Sequence, residues 1–162
     1  MMKKWVIFIS VFVISLSLVI SLFVIWTAGQ PFRDVKEKAE QVAISEKKLE
    51  QVTNSEVFNG NYTYTTVRGT DENGTKKAVF IPTSKNKEMS IEEVQMKDGI
   101  SKNQAIKIVQ EEFKVKEVLH TKLGWEQDNA IWEITFLNEN DKLNYVYLLF
   151  ENGKWWKRIL NL

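Results

Sequence analysis

The residue with the clearest catalytic potential is His120, the single histidine of a 162-residue chain that has no cysteine. A zinc site needs further nitrogen or sulfur ligands, so one histidine does not predict it. The members of a Ser-His-Asp triad come from distant parts of a chain, so the sequence leaves a triad open, although nothing near His120 supports one. We expect His120 to share a strand face with Val118, opposite Leu119, and to face solvent.

Segment 71–74, Asp-Glu-Asn-Gly, offers oxygen atoms of the kind that calcium prefers. A calcium loop needs more ligands at fixed spacing and a closing bidentate glutamate. Asn73-Gly74 is instead typical of a two-residue type I′ hairpin turn, because both central residues of that turn need positive φ. We therefore predict no metal site and no cofactor.

Two short stretches have spacings that also occur in penicillin-recognising enzymes: Ser-x-x-Lys at 45–48 and Ser-x-Asn at 101–103. The Lys-Thr-Gly element of those enzymes is absent from the sequence. Ser45 is expected on a charged helix face, and Ser101 is expected to cap a helix. We predict no catalytic residue, and hence no enzyme.

Four tryptophans, Trp125, Trp132, Trp155 and Trp156, lie in strand-like segments near the end of the chain. One set of alternating residues in these strands is expected to cover a helix over residues 105–113, which leaves a second aromatic set without a neighbour. Two interpretations stay open. The tryptophans are core or the seam between two units, or they form an exposed groove that binds a partner, since aromatics are enriched in binding hot spots.

Residues 5–28 contain no charge and no proline. At about 1.5 Å per residue they span roughly 36 Å, enough to cross a hydrocarbon core of about 30 Å. Trp5 and Trp26 mark its ends, where tryptophan favours the membrane interface, and Lys3 and Lys4 precede it. The run exceeds a signal-peptide core and lacks a small-residue cleavage pattern, which predicts an uncleaved anchor. The tail of residues 1–4 is expected in the cytoplasm and the rest outside.

Small residues follow one face of this helix: Ser10, Ser17, Ser21 and Ala28. Such a stripe lets two membrane helices approach closely. The alternative is that serine is merely tolerated at these positions.

The rest of the chain repeats one arrangement twice, a helix followed by an antiparallel meander. An amphipathic helix is expected from Pro31 to about residue 52, followed by strands within 61–82. Ser101 and Gln104 form a capping box for a second helix, and four strands follow it. The sequence thus predicts an α+β fold with units 30–98 and 99–162, each a helix on one sheet face with the other face wet.

The second unit resembles a PepSY-type domain through three stretches, "ISKNQAIKIVQ" (100–110), "AIWEITF" (130–136) and "FENGK" (150–154). The Asp-Ala pair common before the final turn of that family is absent, since Leu149 and Phe150 stand there. PepSY domains are associated with propeptides, so this resemblance implies an alternative function as a peptidase-inhibitor module. The tryptophans leave a third option, a module that binds wall polymer or a small ligand.

The whole chain resembles the YpmB/TseB family of Gram-positive bacteria. The resemblance rests on the short basic tail, the apolar helix and "VRGTDENGTKKAVFIP" (67–82), followed by "DGISKNQAIKI" and "IWEITFL". It implies a membrane-anchored protein with two cystatin-like domains outside the cell. It also implies a non-enzymatic regulator of cell-wall elongation whose partner is an elongation transpeptidase, a class B penicillin-binding protein. It supplies no catalytic residue and no small-molecule substrate.

Composition agrees with a protein that has no nucleic-acid partner. The chain carries 22 basic and 21 acidic residues, a formal net charge of +1. It therefore lacks the basic excess that attracts a phosphate backbone. Without cysteines, an extracytoplasmic domain must be held together by its own core.

Overall fold

The structure is a computed structural model that describes residues 2–28, 30–83 and 89–162, without the side chains of residues 27, 28 and 30–32. The chain divides into two compact units, Met1–Val35 and Lys36–Leu162. Helix α1 spans Met2–Ala28, and its segment Met2–Trp26 is long and apolar enough to cross a membrane. An anchor and a signal sequence share these properties.

Helix α2 spans Gln30–Ser45 and ends well before the expected residue 52. Lys47 takes a positive φ of 55°, and the amides of Lys48 and Leu49 donate hydrogen bonds to the carbonyl of Ala43, which closes the helix. Strand β1 (Gln51–Asn59) follows directly. The prediction of a longer helix was wrong because β1 contains many polar residues. It therefore lacks the regular alternation of apolar and polar residues that would have indicated a strand.

The first sheet is an antiparallel meander of β1, β2 (Thr63–Thr70), β3 (Lys76–Pro82) and β4 (Glu92–Gln95) in chain order. A short 3-10 helix, Met96–Asp98, leads to α3 (Lys102–Glu112). The second sheet repeats the meander with β5 (Val115–Glu126), β6 (Asn129–Asn138), β7 (Leu143–Leu149) and β8 (Trp155–Ile159). The predicted α+β fold, a helix and an antiparallel meander twice over, is confirmed. The domain boundary at residue 98 stays a prediction.

The capping box at the start of α3 and the glycine turn after β7 both form as predicted. Ser101 and Gln104 form a reciprocal capping box. Gly153, with φ of 70°, turns the chain between β7 and β8. The β2–β3 hairpin also forms, but its turn is not the type I′ turn expected at Asn73-Gly74. Gly74 has a positive φ and Asn73 does not, because the Asp71 carboxylate accepts hydrogen bonds from the amides of Asn73 and Thr75 and widens the loop.

Both faces of the first sheet are buried, so the expected wet face does not exist. On one face Val67 and Val79 pack with Ala39 and Ala43 of α2. The opposite face contributes residues of β2 and β3 to a core shared with the second sheet and α3. The reason lies in β3, whose consecutive residues Ala78 to Ile81 are all buried and therefore need cover on both sides.

The second sheet places its inner face on Ala105 and Val109 of α3. This face is formed by residues of β6 and β7, among them Trp132, Ile134, Phe136, Val146 and Leu148. The aromatic ring of Phe58 from β1 reaches the opposite face and contacts Gly124 so closely that no Cβ would fit there. The two sheets thus interlock through β1 and β5.

Strand β5 contains a bulge between Val118 and His120. The bulge turns Val118 towards the core and leaves Leu119 45% exposed. The expectation that His120 and Val118 share a face, opposite Leu119, was therefore wrong. An extra residue in one strand of a pair shifts the alternation by one position, which a period-two pattern does not reveal.

Candidate functional site

The candidate functional surface is the outer face of the second sheet, the side opposite α3. It combines a polar cluster with half-buried apolar side chains: His120, Glu133, Tyr145, Tyr147, Leu149, Trp156 and Ile159. These residues come from all four strands of the sheet, and Phe58 covers one part of it. The surface left uncovered is amphipathic, as protein-binding surfaces commonly are.

The polar cluster centres on Glu133, which is 7% exposed. His120 Nε2 lies 3.5 Å from Glu133 Oε1 and 2.8 Å from Thr135 Oγ1. Tyr147 lies beside this carboxylate. Burial, followed by the negative charge of Glu133 and hydrogen bonding to it, raises the pKa of Tyr147 above its ordinary value of 10.0. Tyr147 therefore stays neutral next to a buried carboxylate.

This cluster does not have the geometry of a catalytic triad. In a triad the acid and the nucleophile contact different nitrogens of the histidine. Here Glu133 and Thr135 both lie against Nε2 of His120. Thr135 is also 1% exposed, so its hydroxyl is out of reach of a substrate. His120 itself is exposed, as the sequence predicted. Among the described residues no three His, Cys, Asp or Glu side chains group together as metal ligands would.

The four tryptophans do not form one groove. Trp132 is fully buried and donates its indole Nε1–H to the carbonyl of Ile100 at 2.9 Å, which makes it a core residue and removes it from any binding surface. Trp125 is half-buried and packs on Phe80 with ring centroids 5.3 Å apart. Both rings therefore pack in or against the core shared by the two sheets.

The remaining tryptophans are neighbours in sequence but lie on opposite faces of the sheet. Trp155 packs on the core side, where the Arg158 guanidinium stacks 4.0 Å from its ring centroid. Trp156 lies on the outer face beside Ile131 and Tyr147. Of the four, Trp156 alone joins the candidate surface. Sequence reasoning missed Tyr145, Leu149 and Ile159 there, although alternation with buried residues marks them.

The residues assigned to a membrane anchor have exposed side chains on α1: Lys3, Lys4, Trp5 and Trp26. The hydroxyl of Ser21 in the proposed packing stripe donates to the carbonyl of Ser17 at 2.8 Å. Ser10 and Ser17 are also exposed, and the side chain of Ala28 lies outside the described residues. The anchor and the stripe stay predictions.

Comparison with known proteins identifies the family. A family model described as "Cell wall elongation regulator TseB-like domain" matches residues 38–82. The "Probable cell wall elongation regulator TseB" of Bacillus subtilis (strain 168) is 33% identical over 128 residues, which cover 76% of this chain and 78% of that protein. The solved structure of the YpmB protein from Bacillus subtilis matches with a TM-score of 0.69 and 33% identity, over 76% of this chain and 95% of that one. The chain belongs to the YpmB/TseB family, as its sequence pattern indicated.

Proposed function

We propose that this protein is a non-enzymatic, membrane-anchored regulator of cell-wall elongation that acts by binding an elongation transpeptidase, a class B penicillin-binding protein. The observation that carries the proposal is its similarity, over most of the chain, to a protein named a probable cell wall elongation regulator. The absence of triad geometry around His120 favours a binding role over catalysis.

The apolar segment Met2–Trp26 supports the anchor, since it is long and apolar enough to cross a membrane. Lys3 and Lys4 before the helix and the long domain after it favour a short cytoplasmic tail with residues 36–162 outside the membrane. In this arrangement helix α1 keeps the domain at the surface on which an elongation transpeptidase works. The tether raises the effective concentration of one protein near the other, so that a weak contact suffices.

The outer face of the second sheet is the best-supported docking surface for this partner. Tyr145, Leu149, Trp156 and Ile159 keep part of their apolar surface in solvent. Tryptophan and tyrosine are enriched among residues that dominate binding energy. Glu133 lies among them as a carboxylate that is only 7% exposed.

In-cell photocrosslinking of the tagged full-length protein tests the proposal. A photoreactive residue replaces Ile159 on the outer face in one strain, and exposed Lys107 on α3 in a matched control strain. We expect an elongation transpeptidase to be the main product identified by mass spectrometry at Ile159 and to be depleted at Lys107. A peptidase as the main product would replace this proposal with the inhibitor alternative. Equal yields at both positions would remove the outer face as the docking surface.

A further inference from the structure

Strand β8 (Trp155–Ile159) is the last strand of the second sheet, and among the described residues no strand pairs with its other edge. Leu162 continues the pairing beyond β8, since its amide and its carbonyl both bond with Leu143 of β7. An edge strand presents backbone donors and acceptors with which a strand of another protein can pair. We propose that the free edge of β8 binds an extended segment of the partner protein by strand addition, and that this segment carries acidic residues beside apolar ones.

The odd-numbered residues of β7 point their backbone groups towards β8. Leu143 makes the two hydrogen bonds just described, and the amide of Leu149 donates at 2.8 Å to the carbonyl of Lys154, directly before β8. The direction of the backbone groups alternates along a strand. Tyr145 and Tyr147, which lie between Leu143 and Leu149, therefore also point towards β8.

The residue of β8 that points away from β7 is Arg158. Tyr145 is paired with Ile159, and Tyr147 is paired with Lys157. In an antiparallel ladder, paired residues whose backbone groups face each other exchange both of their hydrogen bonds. The ladder therefore uses the backbone groups of Lys157 and Ile159. The N–H and the C=O of Arg158, between them, face the free edge of the sheet.

The other three sheet edges are less open than the edge of β8. Strand β4 has only four residues. Strand β5 has two bulges, and both backbone groups of Leu123 bond with side chains of the first sheet. Strand β1 has a bulge after Val52, and the Lys122 ammonium donates to the carbonyl of Val57 at 3.2 Å. Short, bulged or occupied edges discourage pairing, so β8 is the edge on which an added strand fits best.

The charge along β8 favours one kind of segment. Residues 154–162 carry three basic side chains, Lys154, Lys157 and Arg158, all exposed, and no acidic one. A second copy of β8 would bring like charges opposite one another, which is unfavourable. Acidic side chains on the added strand would instead pair with Lys157 and Arg158 across the new ladder. The basic edge thus disfavours a second copy of this chain and favours an acidic segment.

The apolar side chains beside this edge lie on the outer face of the sheet. Trp156 and Ile159 pack there with Tyr147 and are half-buried. In strand addition the main-chain hydrogen bonds give affinity, and contacts of alternate side chains give specificity. Apolar side chains of the segment would cover Trp156 and Ile159. Strand addition deepens the proposed function, on which it rests, by naming the form and the charge of the partner's segment.

Proline at position 158 tests the edge directly. Proline has no N–H and is tolerated on an edge strand where the N–H would face solvent. Arg158→Ala is the matched control. Both variants lose the ion pair with Glu112 and the stacking on Trp155, but only Arg158→Pro removes the outward N–H. Equal Tm values of the two full-length variants in a nonionic detergent establish that both are folded.

The readout is in-cell photocrosslinking from a photoreactive residue that replaces Tyr145 on the outer face. We expect the yield of the transpeptidase product to be lower in Arg158→Pro than in Arg158→Ala by about tenfold or more, because strand addition needs the outward N–H. Equal yields would overturn strand addition and leave the proposed function standing. A second copy of this chain as the main product would overturn the acidic segment. A different protein as the main product, with the same difference between the variants, would overturn the proposed function alone.

The charge of the segment has its own comparison. Lys157→Glu should lower the yield of the transpeptidase product by about tenfold, because it places like charges across the new ladder. Lys107→Glu, at an exposed site on α3, makes the same change of charge and should leave the yield unchanged. Equal yields in these two variants would overturn the acidic segment.

Amide hydrogen exchange provides a measurement that needs no variant and so does not depend on the folding of Arg158→Pro. In the full-length protein alone, the amide of Arg158 should exchange faster than the amides of Lys157 and Ile159, which bond to β7. Addition of a purified elongation transpeptidase should slow the Arg158 amide by about tenfold or more. Slow exchange of all three amides without the transpeptidase would overturn the free edge. No slowing in its presence, with crosslinking from Tyr145 retained, would overturn strand addition.

Discussion

The hydroxyl of Thr66 on β2 donates a 2.6 Å hydrogen bond to the backbone carbonyl of Leu123 on β5, across 57 residues of sequence. The backbone amide of Leu123 donates a hydrogen bond to Glu56 Oε1 at 3.4 Å, and the same carboxylate forms an ion pair with Arg68. Strand β5 is the edge of its sheet, and both polar groups of Leu123 are satisfied by side chains of the other sheet. The two sheets are therefore joined by specific polar bonds as well as by apolar packing.

Thr66→Val should destabilise the protein by about 1–3 kcal/mol, because it leaves the buried Leu123 carbonyl without its donor. The neighbouring Thr65 provides a matched control, for which we expect no loss of stability. Its buried hydroxyl finds no hydrogen-bond partner among the described residues. Thr65→Val should therefore be neutral or stabilising. Urea denaturation of the full-length protein in detergent measures both, and equal losses in the two variants would contradict the role of the Thr66 bond.

Low pH should destabilise a cluster of ion pairs that joins the loop after α2, the β2–β3 hairpin and β4. Lys77 Nζ lies 3.2 Å from Asp71 and 3.3 Å from Glu93, and Lys48 lies 3.1 Å from Glu93. The hydrogen bond from the Thr75 amide, with help from Lys77, lowers the pKa of Asp71 below 3.8. Burial alone would raise the pKa of Glu93, but hydrogen bonds from Lys48 and Lys77 lower it below 4.5.

Because both carboxyl pKa values are lower in the folded state than in the unfolded state, their stabilisation is complete above about pH 5 and is lost as the pH falls through the folded values. The Tm should therefore decrease between about pH 5 and pH 3. Lys77→Met should make this decrease shallower, since it removes the cation shared by both carboxylates. Lys107→Met, which breaks an exposed helical pair with Glu111, should leave the slope unchanged. An unchanged slope in Lys77→Met would contradict the assignment.

The β5–β6 turn stores backbone strain. Gln127 and Asp128 have φ values of 48° and 62°, a region that favours glycine and asparagine. The double substitution Gln127→Asn, Asp128→Gly should stabilise the protein by about 1 kcal/mol or more, since Asn-Gly suits two residues of positive φ.

Gly74 has a φ of 74°, and a Cβ added there would meet nothing within 4 Å. Replacing this glycine therefore measures the cost of a side chain at positive φ, whereas the turn variant measures the gain from removing one. Gly74→Ala should destabilise by about 1 kcal/mol. Differential scanning calorimetry compares the two variants with the parent. A lower Tm for the Asn-Gly turn would show that the native residues have contacts that outweigh the strain.

If the proposed function holds, Trp156→Ala should reduce crosslinking to the proposed transpeptidase partner by about thirtyfold, since truncation of a tryptophan at an interface centre costs about 2 kcal/mol or more. The matched control is Leu119→Ala, which removes an exposed apolar side chain from β5 of the same sheet. It should leave the yield unchanged. Equal thermal stability of the two variants is required for the comparison, and retained crosslinking in Trp156→Ala would remove this residue from the docking surface.

Local signals in the sequence determined most of the secondary structure. Charge-free residues 5–28 predicted α1, the Ser101–Gln104 box predicted the start of α3, and alternation predicted β5 to β8. Each of these patterns acts over a few residues, within one helical turn or one strand. The same reasoning failed at α2 and β1, where a helix-like charge pattern continues into a strand that tertiary packing stabilises.

The sequence by itself determined the apolar helix, the α+β class and the family pattern, because each depends on residue types and their spacing along the chain. Only the tertiary structure decided which side chains are available for function. Trp132 and Trp156 look alike in the sequence, but contacts with α3 and Ile100 bury the first, while the second lies on the outer face. Glu126 is buried because the β1–β2 loop, more than 60 residues earlier, lies over it, so that a Cβ added at Gly60 would come within 3.2 Å of its Oε2. Contacts at such separation depend on how whole sheets pack, and no local period encodes them.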